Sequence, residues 1–261
     1  MRFKNIHVIY FSPTHTSARI AHALVEGMGI TVYHETDLTY RTPDAEEHID
    51  DELAIIAVPV YAGRVPAVAL ERLRYFKGNN TPAVAVVLYG NRDFDDALLE
   101  LTDTLAAQGF IPFAAGAFIG EHSFSRPEFP VAEGRPDEAD LAAAMHFGEE
   151  ALAKLNAVTT FEDLSVPTVR GNRPYKAPRA AQAQSPTWDA ALCTFCETCT
   201  EVCPVGAIRL EGDEIRSDAE RCLKCCACVK ECPTGALTFD TPFSAMLAKN
   251  CAARKEPELF L

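Results

Sequence analysis

Basic side chains are scarce in this 261-residue chain: 24 Lys and Arg stand against 37 Asp and Glu, a formal net charge of −13. Nucleic acids need a cationic stripe to neutralise their phosphates, so that class of partner is excluded. Long apolar runs are also missing. The longest, such as Leu53–Val60 and Ala83–Tyr89, fall well short of the ~20 residues that a membrane-spanning helix requires, and no membrane role is expected. No apolar leader with a small-residue cleavage site follows Met1-Arg2-Phe3-Lys4-Asn5, which points to the reducing cytoplasm, where disulfide frameworks are rare. Tryptophan occurs once, at Trp188, and neither a G-x-G-x-x-G fingerprint nor a Walker A loop is present.

Cysteine, by contrast, is abundant, with ten residues, eight of them in two matching runs. Cys193, Cys196, Cys199 and Cys203 return 29 residues later as Cys222, Cys225, Cys228 and Cys232, each run reading C-x2-C-x2-C-x3-C-P. The repeat continues past the thiols, since Cys203-Pro204-Val205-Gly206-Ala207-Ile208 matches Cys232-Pro233-Thr234-Gly235-Ala236-Leu237. One unit has been duplicated. Thiolates at i, i+3 and i+6 reach one corner of a cube when the loop coils tightly, and the following proline ends the coil. Zinc is the competing ligand, but four cysteines packed into eleven residues and then duplicated argue against it. Cys226 and Cys251 lie outside the pattern and read as small buried hydrophobes.

The spacing resembles that of bacterial two-[4Fe–4S] ferredoxins, in which the last cysteine of each run serves the other cluster. That resemblance implies one cluster on Cys193, Cys196, Cys199 and Cys232, and a second on Cys222, Cys225, Cys228 and Cys203.

Ahead of the cysteines, apolar runs at Ile6–Phe11, Ile30–His34, Leu53–Pro59, Ala83–Tyr89 and Phe110–Phe118 alternate with amphipathic stretches at Thr16–Gly29, Val65–Phe76, Phe94–Gln108 and Asp137–Leu155. Near-continuous apolar strands suit a parallel sheet covered on both faces. The expected fold is α/β: a doubly wound parallel five-stranded sheet, followed by a small α+β cluster module. The expected divisions are residues 1–157, a basic proline-rich linker at 158–188, the cluster module at 189–240 and a helix or tail at 241–261. Ser165–Trp188 carries Arg170, Arg173, Lys176 and Arg179 with no acid, together with Pro167, Pro174, Pro178 and Pro186. It reads as a semi-rigid tether, or as a positive strap on the acidic first domain or near a cofactor phosphate.

In doubly wound sheets ligands sit at the carboxyl ends of the strands. After the first strand comes Ser12-Pro13-Thr14-His15-Thr16-Ser17, a hydroxyl-rich helix start able to bind an anion without a basic residue. An ordinary helix cap is the plain alternative. The segment resembles the flavodoxin phosphate loop S/T-x-T-G-x-T, with His15 where glycine is usual. Val58-Pro59-Val60-Tyr61-Ala62-Gly63-Arg64-Val65-Pro66 and Leu88-Tyr89-Gly90-Asn91-Arg92-Asp93-Phe94 follow the third and fourth strands. Together with Gly120-Glu121-His122-Ser123-Phe124 and the Pro257–Leu261 tail, they resemble flavodoxin-type domains fused to ferredoxins, sometimes called ferrodoxins.

The resemblance implies FMN, with Ser12–Ser17 on its phosphate and Pro59–Gly63, Tyr89–Arg92 and Phe94 around its ring. Tyr61, Tyr89 and Phe94 are candidates to stack on the ring or to close the core beneath it. Asn91 is a candidate for the ring edge because its amide both donates and accepts. Arg64 and Arg92 are candidates for the pyrimidine edge or for ordinary surface positions.

The function expected is electron transfer between two clusters, FMN and external redox proteins with basic docking patches. An FMN-dependent reductase of a small acceptor, such as a quinone or nitro compound, stays open, with Glu121 and His122 as its suggestive pair. A redox sensor is a third option. The sequence sets no oligomeric state.

Overall fold

A computed structural model describes residues 3–177 and 182–261. Its central sheet runs in the order Glu258–Phe260, Phe110–Ile119, Thr81–Tyr89, Glu52–Pro59, Asn5–Tyr10, His34–Asp37. The last five are mutually parallel, and in their own chain order they lie 2-1-3-4-5, the flavodoxin-like doubly wound arrangement.

Alternation explains why these strands are so continuously apolar. Ile9, Phe11, Ala54, Ile56 and Val58 point into one core, while Ile6, Val8, Leu53, Ile55 and Ala57 point into the core on the opposite face. Helices Ala67–Leu73 and Ala97–Ala107 cover the first face, and Thr16–Gly27 and Glu138–Ala157 cover the second. The latter pair approaches backbone to backbone. A Cβ on Gly27 would lie 1.9 Å from the Met145 carbonyl oxygen, and one on Gly148 would lie 2.2 Å from that of Leu24.

The expected elements are present, with instructive shifts. The second strand is His34–Asp37 rather than Ile30–His34. It is an edge strand, so it keeps charged residues on its open side, and the apolar Ile30–Val32 run merely leads to it, with Val32 79% exposed. The second helix is Ala67–Leu73, shorter than Val65–Phe76, because Pro66 takes the N-cap position and Phe76–Gly78 forms a small strand with Glu47–Ile49.

The five parallel strands are as expected, and a sixth, antiparallel strand joins them. The C-terminal tail returns to the first domain, where Glu258–Phe260 pairs antiparallel with Ala115–Ala117 and caps that sheet edge.

The linker is a strap. Arg170 bridges Asp93 and Glu258, Arg173 pairs with Asp103, and Asn172 and Lys176 donate backbone N–H groups to Asp96. Pro178 and Arg179, part of the same expectation, lie outside the described residues.

The cysteine module is a structural duplicate as well as a sequence one. Short helices Thr198–Glu201 and Ala227–Lys230 occupy equivalent positions, as do the strands Ile208–Glu211 and Leu237–Thr238. Strand Thr187–Trp188 pairs with Leu237–Thr238, and Glu214–Ser217 with Ile208–Glu211.

Candidate functional site

Each cysteine run is forced into a coil by left-handed residues that ordinary side chains avoid. Phe195 (φ 57°) and Glu197 (φ 59°) in the first run correspond to Lys224 and Cys226 (both φ 58°) in the second. Such conformations persist only where the surroundings compensate them. The effect is to turn backbone N–H groups onto sulfur: Phe195 donates to Cys193 Sγ and Lys224 to Cys222 Sγ, each at 3.4 Å, and Ala207 donates to Cys203 Sγ at 3.2 Å. Inward-pointing N–H groups make a concavity suited to an anionic sulfur cluster.

Two voids result. One is lined by Cys193, Cys196, Cys199 and Cys232, with Trp188, Ile215 and Leu237 as walls. The other is lined by Cys203, Cys222, Cys225 and Cys228, and by Cys226 from outside the motif, with Val202, Ile208 and Phe239 as walls. Each void takes three cysteines from one run and the fourth from the other.

The thiol electrostatics follow the same partition. Burial pushes Cys199 up to about 11, aided by repulsion from Cys232, Cys193 and Cys196. Burial pushes Cys225 up to about 12, opposed by the Ala227 N–H and aided by Cys203 and Cys222. Cys228 is raised by burial, then by Cys225, Cys203 and Cys222. Cys196 and Cys232 are instead lowered, by hydrogen bonds from Thr198 and, against the opposing effect of burial, from Thr234, so the buried thiols are the ones that resist ionising unless a cation centre such as iron compensates.

The cages differ in position. The first reaches solvent: Cys196 is exposed, as are Phe195 and Leu192 beside it. The second faces the sheet domain, where Leu223 packs on the core and the Tyr61 phenol is raised by burial and by Cys225 and Cys226. Several contacts hold the module there. Arg72 donates to the Pro204 carbonyl at 2.8 Å, Lys230 pairs with Glu121 at 2.5 Å, Phe124 stacks on Phe239 at 5.1 Å, and Arg126 pairs with Asp240. The module thus sits against the carboxyl ends of the strands.

At that end lies the hydroxyl-rich loop after the first strand. His15 adopts φ 63°, so it fills the glycine position in the left-handed conformation while its ring lies 3.5 Å from Glu231. Ser12 Oγ accepts the Ala18 N–H, and the Ser12 N–H donates to Thr39 Oγ1. Ser17 is wholly buried, and its hydroxyl has no partner among the described residues. Thr14 and Thr16 are half-buried beside the first helical turn, whose N–H groups lack intrahelical acceptors. This set suits a phosphate.

The ring loops depart from expectation. The Asp96 N–H donates to the Gly63 carbonyl, and a Cβ on Gly63 (φ 83°) would lie 2.1 Å from Asp95 Oδ2, so the loops after the third and fourth strands touch directly. Asn91, expected on a ring edge, spends both amide hydrogens on the carbonyls of Cys251 (2.7 Å) and Ala253 (2.8 Å). Phe94 is fully buried with the Arg170 guanidinium 3.5 Å above its ring, and Tyr89 is buried against it. Arg64 forks onto Glu100, and Arg92 pairs with Asp95. These side chains close the core or hold the strap. Tyr61, half-buried, and Ala62, exposed at φ 54°, remain at the loop tip.

Residues 185–233 match the 4Fe-4S dicluster domain family. A comparison with curated proteins finds no match. Among solved structures, an archaeal flavodoxin is 10% identical, covering 59% of this chain and 99% of its own, at a TM-score of 0.37. A Streptococcus flavodoxin is 16% identical over 58% and 99%, at 0.38. The rubredoxin oxygen:oxidoreductase of Desulfovibrio gigas is 16% identical over 59% of this chain but 37% of its own, at 0.39. At such values the fold assignment rests on strand order and register. A flavodoxin-like domain is joined here to a 4Fe–4S dicluster module. The chain is an iron–sulfur redox protein, and among the described residues no helix is long and apolar enough to cross a membrane.

Proposed function

We propose that this chain is an electron carrier with two [4Fe–4S] clusters, one on Cys193, Cys196, Cys199 and Cys232 and the other on Cys203, Cys222, Cys225 and Cys228, coupled to an FMN in the flavodoxin-like domain. The carrying observation is the pair of voids with crossed cysteine linings. Bound clusters supply one-electron steps, and a flavin supplies one- and two-electron steps.

The residues divide the work. The exposed cage around Cys196 meets outside partners, with Glu197 and Glu201 giving a negative rim that suits basic docking patches. The inner cage around Cys225 lies beside Tyr61 at the carboxyl ends of the strands. Ser12, Thr14, Thr16 and Ser17 hold the flavin phosphate, and the Pro59–Gly63 loop is the ring contact nearest the inner cage. The divisions proposed are a flavodoxin-like unit at 1–157, a basic proline-rich linker at 158–188 whose last residues already pair with the cage module, cages at 189–240 and a tail at 241–261.

A carrier fits better than a reductase. His122 Nδ1 accepts the Phe124 N–H within its own loop and Glu121 pairs with Lys230 of the cysteine module, so both members of the suggestive pair are engaged in structural contacts. Anaerobic exchange with reduced ferredoxin, flavodoxin or NAD(P)H across a panel of acceptors tests this. Broad exchange that slows with added salt is expected. Saturation with a single acceptor, insensitive to salt, would favour the reductase.

A further inference from the structure

At the opposite end of the sheet, a cluster of side chains has no part in electron transfer. His7 and His34 are direct cross-strand partners on adjacent parallel strands. Glu52 pairs in register with Asn5, and Asn5 shares a face of its strand with His7. The sheet therefore places two imidazoles and one carboxylate on a single face, and one ligand atom from each falls within 4.8 Å of the other two.

The contacts within this group make poor hydrogen bonds. His7 Nδ1 lies 3.7 Å from Glu52 Oε2 and 3.7 Å from Glu47 Oε1, while His34 Nδ1 lies 3.4 Å from Glu52 Oε1. Glu52 Oε2 is buried with no hydrogen-bond partner among the described residues. Burying a carboxylate oxygen unpaired is costly. The other nitrogen of His7, Nε2, is 2.8 Å from Thr36 Oγ1. If Nε2–H donates there, the Nδ1 lone pair faces two carboxylates, an arrangement that calls for a cation. An imidazole fixed by a hydrogen bond through one nitrogen and offering the other is how metal-ligating histidines are held. Ligands at zinc–nitrogen and zinc–oxygen distances in a tetrahedron stand about 3.4 Å apart, close to the 3.7 and 3.4 Å that separate His7 and His34 from the Glu52 carboxylate.

We propose that His7, His34 and Glu52 form a divalent-metal site, zinc by ligand type, with a fourth position left for water. Because His34 belongs to the edge strand, the ion ties that strand to the two inside it. His34 is exposed, which gives the ion a path from solvent.

The test uses the full-length, iron-loaded protein, prepared anaerobically and equilibrated with Zn²⁺. After dialysis, zinc and iron are counted by elemental analysis in the wild type, His34→Ala and Glu52→Gln. His34 is exposed and Glu52→Gln keeps its shape, so both variants are expected to fold and to keep their iron. The expected result is one zinc per chain in the wild type and at least a tenfold loss of bound zinc in each variant at unchanged iron. No zinc in the wild type would overturn the proposal, as would zinc retained undiminished by both variants, which would assign it to the cysteines.

Discussion

Arg72 is one of several side chains that fasten the two modules, and the most buried of the charged ones, so its replacement by methionine is a sharp energetic test of their union. The buried guanidinium donates to the carbonyls of Leu38 at 2.8 Å, Thr39 at 2.6 Å and Pro204 at 2.8 Å. Burial depresses its pKa, which marks the desolvation it suffers, and its Nε has no partner. Hydrogen bonds from a charged donor contribute about 1.5–3 kcal/mol each, and desolvation offsets several kcal/mol of that sum. Methionine keeps the apolar stem against Phe11 but leaves the carbonyls of Leu38 and Thr39 without a donor, in residues 1% and 0% exposed. Two buried acceptors stripped in this way give a destabilisation of about 2–4 kcal/mol. Anaerobic urea unfolding, followed in parallel by cluster absorbance and far-ultraviolet circular dichroism, reads this as a midpoint lowered by roughly 1 M. Both signals should shift together, because the lost contact spans both modules. A change below about 0.5 kcal/mol, the range of an ordinary surface substitution, would refute the reasoning.

Three further outcomes are expected. The double variant Cys196→Ala/Cys232→Ala should keep about four iron per chain, since both thiols line one void; cages built from consecutive cysteines would both be damaged and iron would approach zero. Burial, followed by Lys230 and Arg92, lowers His122 to about 4, so its neutral form favours folding. That contribution is intact above the ordinary histidine value near 6.5 and is lost as pH falls towards 4, up to about 3 kcal/mol; His122→Gln should flatten stability across that window. Asn91→Leu should cost about 1–3 kcal/mol and speed amide exchange through Cys251–Phe260, because the tail loses both its anchors; unchanged exchange would dismiss the anchoring role.

The parts of this architecture legible in the sequence are those with a local signal. Burial on both faces wrote the parallel strands as apolar runs, and the C-x2-C-x2-C-x3-C-P repeat marked both cysteine cages. The edge strand was misplaced because Ile30–Val32 is apolar without being core, while His34–Asp37 is charged and still paired. The returning tail strand was missed because three residues, Glu258–Phe260, carry no periodicity and their partner lies far back in the chain. Asn91, Phe94 and Tyr89 stood out in the sequence only as candidates for a flavin ring or for the core beneath it. Their partners, however, come from Arg170 and the tail, which no pattern around residues 89–94 reveals. The His7, His34 and Glu52 grouping escaped for a related reason, since only strand register brings those positions together.

The central claim is that two interleaved cysteine cages hold cubane clusters beside a flavin-binding domain. Anaerobic purification followed by iron, acid-labile sulfide and flavin analysis of the same preparation tests it most directly. The account predicts about eight iron, eight sulfide and one FMN per chain. Fewer than four iron, or zinc in place of iron on the cysteines, would contradict the clusters; full iron without flavin would contradict the flavin assignment alone.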